Sequence, residues 1–245
     1  MRDGTPRRAR VRPRAIAGLA ALCLCLPATA SAEGEVTGPT PASLAAGKPA
    51  FNVTNTPSLI VLSIRLSQTN EINSSGELDD ASGSEDGATI DVDNDVRPST
   101  TVQGVDDFMF AGRYFWQYAM RPVNPDGTTG DHFFSGVASF KLPAFVRKLS
   151  MKAPYQDPRG AQFGVTGYVY TNARKAPYEC VIRRGSTVVA RKRNYILPLS
   201  AGHRDTWECL DMKVPESNDG KLLKLTVTVT GGAQKLSISR TFSGK

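Results

Sequence analysis

Residues 222–230, LLKLTVTVT, place Leu223, Leu225, Val227 and Val229 on one parity and Lys224, Thr226, Thr228 and Thr230 on the other. A period of two over that length predicts a strand with one buried and one solvated face. Gly231-Gly232 then supplies a hairpin turn. In the next run, Leu236–Ser243, the inward set is Leu236, Ile238, Arg240 and Phe242. Arg240 interrupts it, which predicts an edge position or a bulge. Similar runs occur at Val146–Lys152, Phe163–Thr171, Tyr178–Arg184, Ser186–Arg193 and Thr206–Val214. Short strands at this density, with no 3.6-residue stripe, predict a β-sandwich over residues 146–245.

The preceding half follows the same pattern less cleanly. In Ser58–Ser67 the apolar face is expected to hold Ile60, Leu62, Ile64 and Leu66. Further strands are expected at Thr100–Gly104, Val105–Phe110, Ala111–Pro122 and Phe133–Leu142. The stretch AGRYFWQYAMRP carries four aromatics in five positions. Strand parity sends Tyr114, Trp116, Tyr118 and Met120 inward, with Tyr114 placed as a tyrosine corner. Arg113, Phe115, Gln117, Ala119 and Arg121 go outward, so Phe115 is the ring left for binding. Between the strands, Glu71–Asp95 holds nine acids and no base among many Ser and Gly, which predicts that part of it is a long mobile loop.

Composition changes this picture at the N-terminus. Six arginines precede the apolar run Ala15–Leu26, and Ala30-Ser31-Ala32 is a small-x-small site. This is the pattern of a cleaved secretory signal over residues 1–32, too short to span a bilayer. Residues 33–49 read as a flexible leader, and residues 50–143 as the first sandwich. Without the signal the chain carries 24 Lys/Arg against 22 Asp/Glu, but unevenly. Residues 33–146 have 6 bases and 15 acids, and residues 147–245 have 18 bases and 7 acids. Halves of opposite sign imply separate electrostatic roles or mutual attraction. Two cysteines remain, Cys180 and Cys209, and in an exported chain a lone pair most simply forms a disulfide. Closing that loop contributes roughly 3 kcal/mol.

Two resemblances rest on particular residues. Gly112, Tyr114 and Trp116, followed by Ser135, Val137, Ser139 and Phe140, resemble the last two strands of fibronectin type III modules. The acidic insert and the lack of an early-strand Trp depart from that family. Residues 178–243 resemble an Ig-like module of secreted actinobacterial proteins. The match lies in Cys180 before a Gly turn, Cys209 before Val-Pro, a Gly-Lys-Leu strand start, and a closing Arg-x-Phe-Ser. That likeness implies a sandwich with Cys180 joined to Cys209 and no catalytic residue. Both likenesses bear on fold and are nearly silent on function.

Candidate chemistry is sparse. The sequence contains no G-x-S-x-G, H-E-x-x-H, P-loop or G-x-G-x-x-G motif. Two clusters look catalytic, Asp131/His132/Ser135 and His203/Asp205, and both are expected in loops. Asp91, Asp93 and Asp95 alternate as calcium ligands do, joined by Glu85 or Asp86. Val96 and Val102 stand where an EF-hand needs Gly and Glu, so only a looser calcium site fits. If their runs pair, Arg183, Arg184, Arg191, Lys192 and Arg193 gather at one end of a hairpin, either as a solvated basic face or one docked on the acidic half, or to contact an anionic wall polymer or surface phosphate. No aromatics interleave with them, which disfavours nucleic acid. Asn52 and Asn73 begin glycosylation sequons that matter only in a eukaryotic host; the arginine-rich signal points to a bacterium.

The sequence therefore predicts a secreted or envelope-associated, all-β protein of two tandem sandwiches. Its expected function is non-catalytic interaction with an extracellular partner, with no resident cofactor unless calcium binds. The alternatives are a carbohydrate- or anionic wall-polymer-binding module and a small secreted hydrolase using His132 or His203.

Overall fold

Most of the alternating runs become strands, and the strands form four antiparallel sheets. The computed structural model describes residues 35–79, 87–92, 99–156 and 163–244. The expected signal, residues 1–32, lies outside them. In the acidic half the elements are β1 (Glu35–Thr37), α1 (Pro41–Ala46), β2 (Ala50–Asn55), β3 (Leu59–Ser67), β4 (Gly87–Asp91), β5 (Ser99–Gly104), β6 (Gly112–Pro122), β7 (Phe133–Phe134) and β8 (Ala138–Leu142). Strands β1-β2-β5 make one sheet, and β4-β3-β6-β7, with β8 also on β6, make the other. Phe51 and Val53 from the first sheet meet Ile64, Leu66, Tyr114 and Trp116 from the second in one buried cluster.

Several expectations are corrected here. Residues 35–47 are ordered rather than a loose leader: β1 pairs with β2, and Thr40 Oγ1 accepts the Ser43 N–H at 3.2 Å to cap α1. Gly47, at φ 78°, ends that helix. In β3 the register shifts between Val61 and Ser63, so Leu62 is bulged. One extra residue reverses parity, and the inward set is Leu59, Val61, Ile64 and Leu66 instead of Ile60 with Leu62. Residues 105–110 form no strand; Phe110 is buried, while Asp106 and Asp107 stay exposed.

The basic half contains β9 (Val146–Arg147), β10 (Tyr155–Gln156), β11 (Phe163–Thr171), β12 (Ala176–Arg184), β13 (Thr187–Ile196), β14 (Arg204–Met212), β15 (Leu222–Gly231) and β16 (Gln234–Ser243). β10-β11-β14, with β9 on β11, faces β13-β12-β15-β16. Leu223, Leu225, Val227 and Val229 are all fully buried, as their parity predicts, each contributing about 1.5–3 kcal/mol of transfer free energy. β16 is an edge strand with no bulge, so Arg240 sits at the rim beside a partner on one side only. Cys180 on β12 and Cys209 on β14 form the disulfide that joins the two sheets, Cα–Cα 6.5 Å. Trp207 is buried two residues before Cys209. Its Nε1 donates to the Ser150 carbonyl at 3.1 Å, and Gly167 lies against the ring where any Cβ would collide.

Both halves share one strand order. Counting β7 with β8, and β9 with β10, as one strand each, the first, second and fifth strands form one sheet, and the fourth, third, sixth and seventh the other. Between the halves sits Asn172, fully buried, with its side chain satisfied on both ends. Its Nδ2 donates to the Met109 and Pro143 carbonyls (3.2 and 3.1 Å), and its Oδ1 accepts from Phe145 N–H at 2.7 Å. The Asn172 carbonyl accepts from Ala111 N–H at 2.8 Å. Around it the Arg147 guanidinium lies 4.1 Å from the Phe145 ring centre and donates to the Ala45 carbonyl at 2.7 Å. Gly202, at φ 69°, packs on Phe108 so closely that no side chain fits.

Candidate ligand-binding faces

The aromatic stretch belongs mostly to the interior. Tyr114 is fully buried and Trp116 nearly so. The Tyr114 hydroxyl donates to the Phe110 carbonyl at 2.8 Å, four residues upstream, as a tyrosine corner does, and accepts from Gln68 Nε2 at 2.8 Å. Burial pushes the Tyr114 hydroxyl up to about 12, against a smaller opposing effect of Gln68. The opposite parity is not the open polar face expected. Gln117 is 3% exposed because the turn at residues 71–79 folds over it. Its Oε1 accepts the Leu78 N–H at 2.6 Å, and its Nε2 donates to the Gly76 and Ser135 carbonyls, each at 3.0 Å. Residues 71–79 of the acidic stretch are thus a structured cover. Phe115 is half-buried, with the Arg113 guanidinium 5.3 Å from its ring centre, so it offers no free platform.

Asp91 ends β4 and is exposed; Asp93, Asp95, Glu85 and Asp86 lie outside the described residues. Among the described residues, no group of three or more His, Cys, Asp or Glu is gathered as a metal site. His132 packs edge-on to Phe134 at 5.5 Å, while Ser135 Oγ donates to the Gly136 carbonyl and accepts from Tyr118 N–H. His203 lines a cleft of about 730 Å³ with Asp91, Asp106 and Asp107. Asp205, beside it, has a buried Oδ2 without a hydrogen-bond partner, and burial raises its carboxyl above the ordinary range more than His203 lowers it.

The five basic residues form their hairpin but do not gather at one end of it. Arg183 and Arg184 pair with Val188 and Thr187 at the turn, whereas Arg191, Lys192 and Arg193 pair with Val181, Cys180 and Glu179 farther along. Arg183 donates to the Ser186 carbonyl at 2.8 Å. Alternation splits the other three. Lys192 turns to the sandwich edge and donates to the Leu210 carbonyl at 2.7 Å, while Arg193 and Arg191 flank Glu179 at 2.6 and 3.4 Å. These exposed ion pairs contribute little stability.

What the sheet assembles instead is a four-strand outer face. Register brings Arg191, Arg193 and Tyr195 of β13, Glu179 and Arg183 of β12, and Lys224 of β15 to one side, with Thr226, Thr228 and Thr230. β16 adds Lys235, Ser237, Ser239 and Thr241. Thr226 and Thr228 hydroxyls bond Ser239 and Ser237, both at 2.8 Å, giving a flat ladder of hydroxyls. At one end lies a cleft of about 420 Å³ lined by Glu179, Arg193, Tyr195, Thr228, Thr230 and Lys235. Tyr195 is 52% exposed, with Lys175 Nζ 3.9 Å from its ring centre. The cations hold the Glu179 carboxyl below the ordinary range, first through the Arg193 hydrogen bond and then through the fields of Arg193, Arg191 and Lys235. Tyr195, Lys175, Lys224 and Lys235 were not singled out from the sequence. Their shared parity was visible, but their adjacency comes from strand order.

An all-β protein with one disulfide between facing sheets is therefore the class these observations define. No protein-family model matches the chain, and no curated protein matches it. Among solved structures, it is similar to the Bifidobacterium dentium beta-glucuronidase complexed with coumarin-3-O-glucuronide, at 9% identity and a TM-score of 0.24. The likeness covers 79% of this chain but only 39% of that one, and at this TM-score it carries no argument about function.

Proposed function

We propose that this chain is an exported, non-catalytic binding protein of the bacterial cell envelope. In this reading it comprises a fibronectin type III-like sandwich followed by an Ig-like sandwich, and its ligand is an anionic glycopolymer. The shared strand order of the two halves and the inter-sheet disulfide support the module reading. The observation that carries the ligand is the outer face of β13-β12-β15-β16. There Arg191, Arg193 and Lys235 surround the single carboxylate of Glu179, with Arg183 and Lys224 farther along the same face, next to rows of hydroxyls. Extended polymer lies along such a face, with cations pairing its charges, hydroxyls bonding its sugars, and Tyr195 at the cleft offering an apolar edge.

Retention on immobilised alginate, a uronate polymer, tests this reading. Wild-type protein is expected to bind and to elute with rising salt. Arg191→Glu with Arg193→Glu and Lys235→Glu should weaken binding by at least about tenfold, since opposed charges become like charges. Retention unchanged in that variant would overturn the assignment of the face.

A further inference from the structure

The opposite outer face of the same sandwich carries a second cationic cluster. Tyr168 and Tyr170 share the outward parity of β11, opposite Thr206 and Arg204 of β14. The chain after β9 runs beside them, held by Ser150 N–H to the Tyr168 carbonyl at 2.8 Å and Lys152 N–H to the Thr166 carbonyl at 2.9 Å. The Arg204 guanidinium stacks 3.4 Å from the Tyr168 ring centre, Lys152 Nζ lies 5.1 Å from it, and Lys148 Nζ lies 5.2 Å from that of Tyr170. Lys148 occupies the left-handed region at φ 52°, where a non-glycine residue is uncommon. Among the described residues, Glu208, facing Thr166, is the carboxylate on this face, and none of the three cations forms an ion pair with it. Lys152, and secondarily Arg204, outweigh the effect of burial and hold the Tyr168 hydroxyl below its ordinary range, so the local potential is positive. Cations already lie against these rings. What the face offers a ligand is N–H donors, phenol hydroxyls and charge, rather than bare rings for sugar stacking.

Two sheets packed over one core point their outer faces in opposite directions. A strand of polymer lying on one face cannot lie on the other. We propose that the basic sandwich is bivalent: Lys148, Lys152 and Arg204 hold a second strand of anionic polymer, so that the protein cross-bridges two chains. This inference rests on the reading of the first face given above, and its test separates the two.

Light scattering of the full chain mixed with alginate reads cross-bridging, and retention on immobilised alginate reads binding. Wild-type protein should produce scattering that peaks at an intermediate protein-to-polymer ratio and falls in excess of either. Lys148→Glu with Lys152→Glu and Arg204→Glu should remain bound but lose most of the scattering. The Arg191→Glu, Arg193→Glu, Lys235→Glu variant should lose scattering and keep the residual binding of the tyrosine face. Scattering equal to wild type in the first variant overturns bivalency and leaves the first face standing. Full retention and full scattering in the second variant instead overturn the first face. Lys148→Gln with Lys152→Gln and Arg204→Gln serves the same comparison if the reversed variant fails to fold, as judged by its melting curve.

Discussion

The two sandwiches share a strand order and differ in almost everything else. The acidic one closes its core with rings: Phe51 on Trp116 at 5.0 Å, and Tyr114 stacked on Phe140 at 5.6 Å. The basic one uses Trp207 and a covalent bridge between its sheets. The first covers its outer face with a turn clamped by Gln117, and the second leaves its outer hydroxyl ladder open. Topology is thus set by where apolar residues alternate, whereas charge, cross-links and loop covers vary on top of it. This division matters for function, because an open face can bind and a covered one cannot.

Each sandwich has its own tryptophan, Trp116 or Trp207, so fluorescence separates their unfolding. The largest difference should come from Cys180→Ala with Cys209→Ala. By loop entropy, opening a bridge of sequence separation 29 costs about 3–4 kcal/mol. Denaturant curves should then show the Trp207 transition falling well below that of Trp116; equal shifts in both would mean that the halves unfold as one.

A pH experiment probes the other core. Burial raises the Tyr114 hydroxyl to about 12 in the folded protein, above its unfolded value. The associated stability is fully present below pH 10 and is lost as pH rises from 10 to about 12. Two pH units correspond to about 2.7 kcal/mol. Tyr114→Phe removes the titration, so wild type minus variant stability should decline by that order across this window. A difference independent of pH would refute the assignment. The smallest of the three effects concerns the link between the halves. Asn172→Ala leaves the Met109 and Pro143 carbonyls and the Phe145 N–H unpartnered and should cost about 2 kcal/mol. It should also pull the two tryptophan transitions apart, and coincident transitions in the variant would show that the halves are coupled by something else.

Much of the fold was legible because burial imposes a period of two on each strand. β11 was placed to the residue, β15 within one, and the inward set of β15 was complete. Less was legible wherever an outcome depends on a partner distant in sequence. The bulge at Leu62 changes which residues of β3 face inward, and it is defined by pairing with Met120 and Ala119. Gln117 looked outward and solvated until the turn at residues 71–79 covered it.

The candidate faces show the same limit. Arg191, Lys192 and Arg193 are consecutive and looked like one patch, yet successive residues of a strand point to opposite sides. Arg193 and Lys235 are 42 positions apart and line one cleft, because β12 and β15 lie between their strands. The sequence by itself determined an all-β chain, most of its strands, its charge division and its single cysteine pair after residue 32, since these follow from local alternation and composition. Only the tertiary structure decided which cations share a face, which rings are covered and how the halves meet. Those outcomes depend on sheet order and register, which bring distant residues within contact range.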